Sequence, residues 1–277
     1  MANCNSCPSK NNCNKQDTCT IENNPNNKIK NIIGVMSGKG GVGKSTITSL
    51  IAKTLNKKGY KVGILDADIT GPSIPRLMDV KDQRAFSRNG VDIYPIITKE
   101  NIKTMSVNFL VEDESQPIVW KGPLISNTIK QFYKDVMWEE LDYLLIDMPP
   151  GTGDVALTVM QSLPLTGMIM VSVPQDMISM IVAKGINMAK KLNVNILGVV
   201  ENMSYIECPD CNKKIKLFEG EETENFLGEM NLDLLGELPM TREIVEVTHK
   251  GIDEISEELE MTLKDIVKKI EYKIEKH

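Results

Sequence analysis

From Ile29 onward, short apolar runs alternate with stretches of helical periodicity. Ile32, Ile33 and Val35 form one such run, and Ile47, Leu50, Ile51 and Leu55 then recur at the three- and four-residue spacing of a helix face. Further strands are predicted over Lys61–Asp66, Val91–Ile97, Ile102–Val107, Tyr143–Asp147, Gly167–Val173, Asn195–Val200 and Leu234–Leu238. Helices are predicted over Leu124–Val136 and Met177–Leu192. Strands alternating with helices imply an α/β fold with a doubly wound, mainly parallel sheet, whose ligands sit at the carboxyl ends of its strands. Ile255, Leu259, Leu263, Ile266, Ile270 and Ile274 predict a last amphipathic helix. The stretch from Asp253 to His277 carries eight acids against five lysines, which suits packing on the protein body better than an anionic bilayer.

Residues Met1 to Lys28 break this pattern. They are rich in Asn, Ser and Lys, with Ile21 almost their only aliphatic side chain, so they cannot fold on a core of their own. They divide the chain into a Cys-rich tail (1–28) and one large domain (29–277). The tail holds Cys4, Cys7, Cys13 and Cys19, four of the six cysteines in 277 residues. A metal could order this segment where apolar burial cannot. The net charge of −6 argues against a broad nucleic-acid surface. No apolar run approaches the roughly 20 residues of a membrane span. The polar N-terminus does not read as a secretory signal, so a cytoplasmic location is expected. There, cysteines serve as ligands or redox groups more often than as structural disulfides.

Gly38-Lys39-Gly40-Gly41-Val42-Gly43-Lys44-Ser45-Thr46 lies between the first strand and the first helix. That is the setting of a phosphate-binding loop, in which glycines turn backbone N–H groups around phosphate oxygens at a helix N-terminus. Lys44 is placed to neutralise the β- and γ-phosphates of ATP, and the Ser45 hydroxyl to hold Mg2+. Asp147, closing the run Leu144-Leu145-Ile146, has the placement of the acid that holds the same ion through water. Asp68, just past the second predicted strand, is the candidate for positioning the attacking water. A structural cap is the alternative for an aspartate there.

Cys208-Pro209-Asp210-Cys211 supplies two thiolates at metal-ligand spacing, with neither histidine (His249, His277) close by. Half a site completed across a two-fold axis would hold a bridging [4Fe–4S] cluster; zinc, a redox dithiol and a structural role are the alternatives. The tail spacing Cys4-x2-Cys7-x5-Cys13-x5-Cys19 offers a complete ligand set within one subunit, for a second iron–sulfur cluster or for zinc.

The second loop lysine, Lys39, resembles the deviant lysine of MinD-like ATPases, which in that family crosses a dimer interface to the partner's nucleotide. D-A-D-I-T-G-P-S-I-P, W-K-G-P, L-D-Y-L-L-I-D-M-P-P-G-T-G-D, V-P-Q-D, E-N-M-S-Y and C-P-D-C follow the loop in that order. Together they resemble the Mrp/Nbp-type iron–sulfur cluster carrier ATPases over about Ile29 to Gly251. The resemblance implies Asn202 near the adenine and Cys208 and Cys211 on a cluster; with Lys44 and Asp68 as read above, Lys39 completes the expected catalytic set. It also implies a homodimer that assembles [4Fe–4S] clusters and passes them to apo-proteins, alongside cluster assembly factors. A redox ATPase like the nitrogenase iron protein would carry cysteine in its switch loop, and Asp147–Asp154 has none. A positioning ATPase of the MinD or ParA kind would leave all six cysteines without a role.

Overall fold

The structure is a computed structural model. It describes residues 21–276 apart from 70, 72, 88, 89, 91, 111–121, 178, 179, 209, 212, 217–219, 245 and 247–254. Cys4, Cys7, Cys13 and Cys19 therefore lie outside the described residues.

The strands are β1 (Lys28–Ser37), β2 (Val62–Asp66), β3 (Phe86–Ser87), β4 (Ile93–Tyr94), β5 (Ile96–Ile97), β6 (Lys103–Met105), β7 (Glu140–Asp147), β8 (Gly167–Ser172), β9 (Ile196–Glu207), β10 (Lys214–Ile215) and β11 (Leu234–Pro239). The helices are α1 (Lys44–Lys57), α2 (Ile74–Leu77), α3 (Gly122–Asp135), α4 (Asp154–Ser162), α5 (Pro174–Met177), α6 (Met180–Lys191), α7 (Gly220–Met230) and α8 (Glu257–Glu275). The main sheet runs β10-β9-β8-β1-β7-β2-β6-β5, with β11 on the free side of β9. All its pairings are parallel except β5 with β6 and β9 with β10.

Strands β1, β2, β7 and β8 are the central ones. Ile32, Ile33, Val35, Ile64, Leu65, Leu144, Leu145, Ile146, Ile169 and Val171 are all buried, the unbroken apolar reading of strands covered on both faces. Helix α1 buries Ile47, Leu50, Ile51 and Leu55 as its spacing predicts. Helix α8 packs on β11, β9 and α1 through Leu259, Leu263, Ile266, Val267 and Ile270, each such burial worth about 1.5–3 kcal/mol. Its Ser256 cap accepts from the Leu259 N–H, and three acids sit in its first turn, which suits the positive end of the helix.

Three elements differ from their predicted form. Pro95 separates β4 from β5 within Val91–Ile97, because proline donates no ladder hydrogen bond. The last part of Ile102–Val107 tightens into a 3-10 turn at Val107–Phe109. Strand β9 does not stop at Val200; it continues through Asn202 to Glu207, where β10 and β11 take up its hydrogen bonds.

The chain before β1 is tied down. The Ile21 N–H donates to the Ser162 carbonyl. Asn27 is buried, donating from Nδ2 to the Val136 carbonyl (2.9 Å) and accepting from the Glu139 N–H (2.8 Å).

Candidate nucleotide site and cysteine hairpin

The phosphate loop leaves the carboxyl end of β1 and enters α1 at Lys44. Gly41 and Gly43 have φ of 84° and 82°, the left-handed region that side chains disfavour, and this lets the loop curl. A side chain at Gly43 would also meet Asn202 Nδ2 at 2.3 Å, so this glycine is required twice over. Helix α1 has no side-chain N-cap, which leaves its first N–H groups for an anion.

Lys44, Ser45 and Asp147 converge as their motifs predict. The Lys44 ammonium lies 2.7 Å from Asp147 Oδ1, and the Ser45 hydroxyl donates to Asp147 Oδ2 at 2.6 Å. Thr48, one turn further along α1, donates to Oδ1 at 3.0 Å, a contact that the loop motif did not single out. Asp68 Oδ2 is 3.8 Å from the Lys44 ammonium. An open cavity of about 720 Å3 faces these groups, lined by Lys39, Lys44, Ser45, Thr46, Asp68 and Arg76. The loop after β7 closes one side, fixed by the Gly151 N–H on the Ser37 carbonyl at 2.8 Å.

Asp66 went unassigned in the sequence, although it shares the D-A-D run with Asp68. It pairs in register with Asp147, is buried, and accepts from the Asp68 N–H and the Ser106 hydroxyl. Burial first, and then the Asp147 charge, push its carboxyl well above the usual range, against the pull of Lys44. Two acids at neighbouring strand ends were the available signal.

Asn202 donates from Nδ2 to the Val42 carbonyl at 2.9 Å, so β9 touches the phosphate loop directly. Its Oδ1 is buried without a hydrogen-bond partner. Five residues beyond Asn202 the strand ends at Glu207, and β10 returns antiparallel, pairing Lys214 with Glu207 and Ile215 with Ile206. Cys208 and Cys211 therefore sit at the turn of a hairpin. The Cys208 N–H donates to the Lys213 carbonyl at 3.0 Å. Cys208 is half-buried and Cys211 exposed, and both are free thiols. The Asp210 and Cys211 N–H groups and the Cys211 thiol hold the Cys208 thiol below its ordinary value, which favours the metal-binding thiolate. Among the described residues no three His, Cys, Asp or Glu side chains converge on one metal position.

The chain matches the family model described as ParA: NUBPL iron-transfer P-loop NTPase over residues 28–275. This chain belongs to that family. The iron-transfer P-loop NTPases similar to it include an iron–sulfur cluster carrier protein of Clostridium perfringens, 48% identical over 266 residues, covering 91% of this chain and 93% of the relative. A protein of the same name from Methanocaldococcus jannaschii is 45% identical, covering 98% of each chain. Among solved structures, the nucleotide-binding protein of Archaeoglobus fulgidus in complex with ADP superposes with a TM-score of 0.71 at 41% identity, covering 81% of this chain and 87% of that one. The Pyrococcus furiosus cell division ATPase MinD superposes with a TM-score of 0.62 at 22% identity, covering 87% and 98%, and shares the fold.

Proposed function

We propose that this protein binds and hydrolyses ATP and carries a [4Fe–4S] cluster between the Cys208/Cys211 hairpins of two copies, releasing it to apo-proteins in the cytoplasm. One observation carries the reading: a single strand, β9, bears Asn202 against the phosphate loop and continues, through a kink at Met203, to Glu207 beside Cys208. Nucleotide and cluster are thereby held by one strand. The names of the relatives, iron–sulfur cluster carrier proteins, support the cargo, and ADP in the Archaeoglobus structure supports the nucleotide.

The residues divide the chemistry among themselves. The turned N–H groups of Gly38–Thr46 and the start of α1 cradle phosphate oxygens. Lys44 neutralises charge that develops on the γ-phosphate, and Asp68, beside it, orients the attacking water for in-line displacement. The Ser45 hydroxyl and the Asp147 carboxylate are hard oxygen donors already within hydrogen-bond reach of each other, a set that fits Mg2+. Bound there, the ion would offset the charge shared by the β- and γ-phosphates. Lys39 lines the same cavity and, in a dimer formed across this face, reaches the partner's nucleotide. The unpartnered Asn202 Oδ1 is an acceptor suited to the exocyclic amine of adenine. Two cysteines close only half of a four-thiolate site, so the cluster requires two hairpins at a two-fold axis. Cys4, Cys7, Cys13 and Cys19 provide a separate metal site, a second cluster or zinc.

Anaerobic reconstitution of the full chain with Cys4, Cys7, Cys13 and Cys19 replaced by serine tests this reading. About one four-iron cluster per dimer is expected from the ligand count, lost on Cys208→Ala or Cys211→Ala while ATP still binds. A monomer holding a whole cluster, or a dimer holding stoichiometric zinc under these conditions, overturns it.

A further inference from the structure

Between the phosphate loop and the cysteine hairpin, β9 is kinked. Met203 has φ of 55°, a left-handed conformation that is costly for a side chain in mid-strand. The ladder slips at the same point: Glu201 pairs with Glu237 and Tyr205 with Pro239, so β9 spends four residue steps where β11 spends two. Such a bulge persists only where its surroundings fix it.

The fixing contacts centre on Ser204. Its hydroxyl oxygen lies 2.7 Å from Glu201 Oε2 and 2.7 Å from Glu237 Oε1. A serine hydroxyl has one proton and can donate to only one of these oxygens. The second contact needs a proton from a carboxyl group. Glu237 Oε1 also faces the Lys216 ammonium at 2.6 Å, which keeps Glu237 ionised. Glu201 is buried, its Oε1 has no partner, and no cation lies within ion-pair distance of it among the described residues.

We infer that Glu201 is a neutral carboxylic acid whose proton completes the chain Glu201→Ser204→Glu237, closed by Lys216, and that this chain clamps the β9 kink so that the Cys208/Cys211 hairpin keeps its place relative to the phosphate loop. Lys216 follows β10 directly, so the clamp holds both strands of the hairpin: β9 through Ser204 and the return strand through Lys216. The adjoining Asn202 grips the Val42 carbonyl from the other side of the kink. The charged groups acting on Glu201 are Glu237 of β11 and Lys216 after β10, and Glu224 of α7 acts on Lys216 in turn. Burial, the largest influence, raises the Glu201 carboxyl, Ser204 opposes it and the Glu237 charge adds to it. Burial works against Glu237 too, yet Lys216 and Ser204 hold that carboxyl below its ordinary value. The hairpin's role as a metal grip rests on the function proposed above; the proton on Glu201 does not.

Glu201, Ser204 and Glu237 are therefore positioning residues, and their test separates protonation from packing. In infrared spectra of the full chain at neutral pH, part of the buried carboxylic-acid C=O absorption that shifts in D2O should be lost in Glu201→Gln and kept in Glu237→Gln, any contribution from the buried Asp66 being common to all three proteins. No loss in Glu201→Gln, or a loss only in Glu237→Gln, overturns the assignment. Amide hydrogen exchange over Ile206–Ile215 should quicken in Glu201→Ala and Ser204→Ala and stay near wild type in Glu201→Gln, whose amide can still donate to Ser204. ATP binding serves as the control for folding. In the four-serine chain described above, Co2+ titration followed by thiolate charge-transfer absorption should show about tenfold weaker binding in Glu201→Ala, the low end of outer-shell losses, and none in Glu201→Gln. Unchanged exchange in both alanine variants overturns the clamp. Absent cobalt–thiolate absorption in the otherwise unsubstituted hairpin would instead count against the metal grip, leaving exchange and infrared spectra to decide the clamp.

Discussion

The Lys44 ammonium lies 2.7 Å from Asp147 Oδ1, joining the start of α1 to the last residue of β7 through a contact in which Asp147 is fully buried. On the proposed function, an incoming phosphate would take Lys44 over from Asp147. Removing Lys44 leaves the buried Asp147 charge with hydroxyl partners, Ser45 and Thr48. Lys44→Ala is expected to cost about 3 kcal/mol of stability in the absence of nucleotide and to abolish ATP turnover. Adding Asp147→Asn should recover most of the stability and none of the turnover. Denaturant titration and a phosphate-release assay check both; wild-type turnover in Lys44→Ala would sink the assignment of the loop.

Gly43 faces two separate demands, and they can be pulled apart. Gly43→Ala meets Asn202 Nδ2 at 2.3 Å and must also hold φ of 82°. Asn202→Gly combined with Gly43→Ala removes the clash and leaves the backbone cost, about 1–2 kcal/mol for a left-handed residue. ATP affinity, measured calorimetrically, should therefore fall steeply from wild type to Gly43→Ala and much less from Asn202→Gly to the double variant, a comparison in which the Asn202 side chain is absent from both proteins. No fall between those last two would show that the positive φ matters little.

The phosphate loop, Asp147 and the cysteine pair were legible because each is a local pattern: glycines, hydroxyls and thiols at fixed short spacing. Strand β9 was not legible past Val200. Glu201, Asn202 and Ser204 of its continuation are polar, and the partners of Asn202 and Ser204 are remote: Val42 lies 160 positions from Asn202 and Glu237 lies 33 from Ser204. The anchoring of Asn27 was hidden in the same way, its partner Val136 being 109 positions away. An Asn-rich stretch signals a solvated tail until such partners are known.

That anchoring moves the clean truncation point. Deleting residues 1–20 spares Ile21 and Asn27, whereas deleting 1–28 removes both Asn27 hydrogen bonds and the first residue of β1. The longer deletion should be less stable by about 2–3 kcal/mol, two buried hydrogen bonds with an unsatisfied partner left behind. Both deletions should lose the same metal, the portion bound by Cys4, Cys7, Cys13 and Cys19. Equal thermal stability of the two would show that Asn27 contributes nothing, and unchanged iron and zinc would show that the tail cysteines hold no metal.

Tyr143 reports on the seat of α8. It is buried, edge-on to Tyr60 at 5.1 Å, and burial first, with the charges of Tyr60 and Glu271 behind it, pushes its phenol up to about 12. A folded state that keeps its proton to a higher pH than the unfolded chain loses stability as pH rises from about 10 towards that value. Tyr143→Phe should flatten this alkaline decline while leaving stability at neutral pH nearly unchanged. An identical slope in denaturation curves between the two proteins would remove the phenol as its cause.

Lys39 gives the sharpest test of a two-subunit site. It lines the nucleotide cavity of its own chain, where Lys44 already occupies the position beside Asp147. If Lys39 acts on the partner's γ-phosphate, Lys39→Ala lowers turnover far more than ATP affinity, because ground-state binding is left to Gly38–Thr46 and Lys44. Lys39→Ala and Lys44→Ala homodimers are then both inactive, each for its own reason. In a mixed dimer, the Lys39→Ala subunit keeps an intact Lys44 to bind ATP and receives Lys39 from its partner, so one of the two sites is whole. Equal mixing places about half of the chains in such dimers, and turnover should recover to about a quarter of wild type by that statistics. Were Lys39 to act within its own subunit, neither site of the mixed dimer would be complete, and mixing two inactive variants would yield no turnover at all.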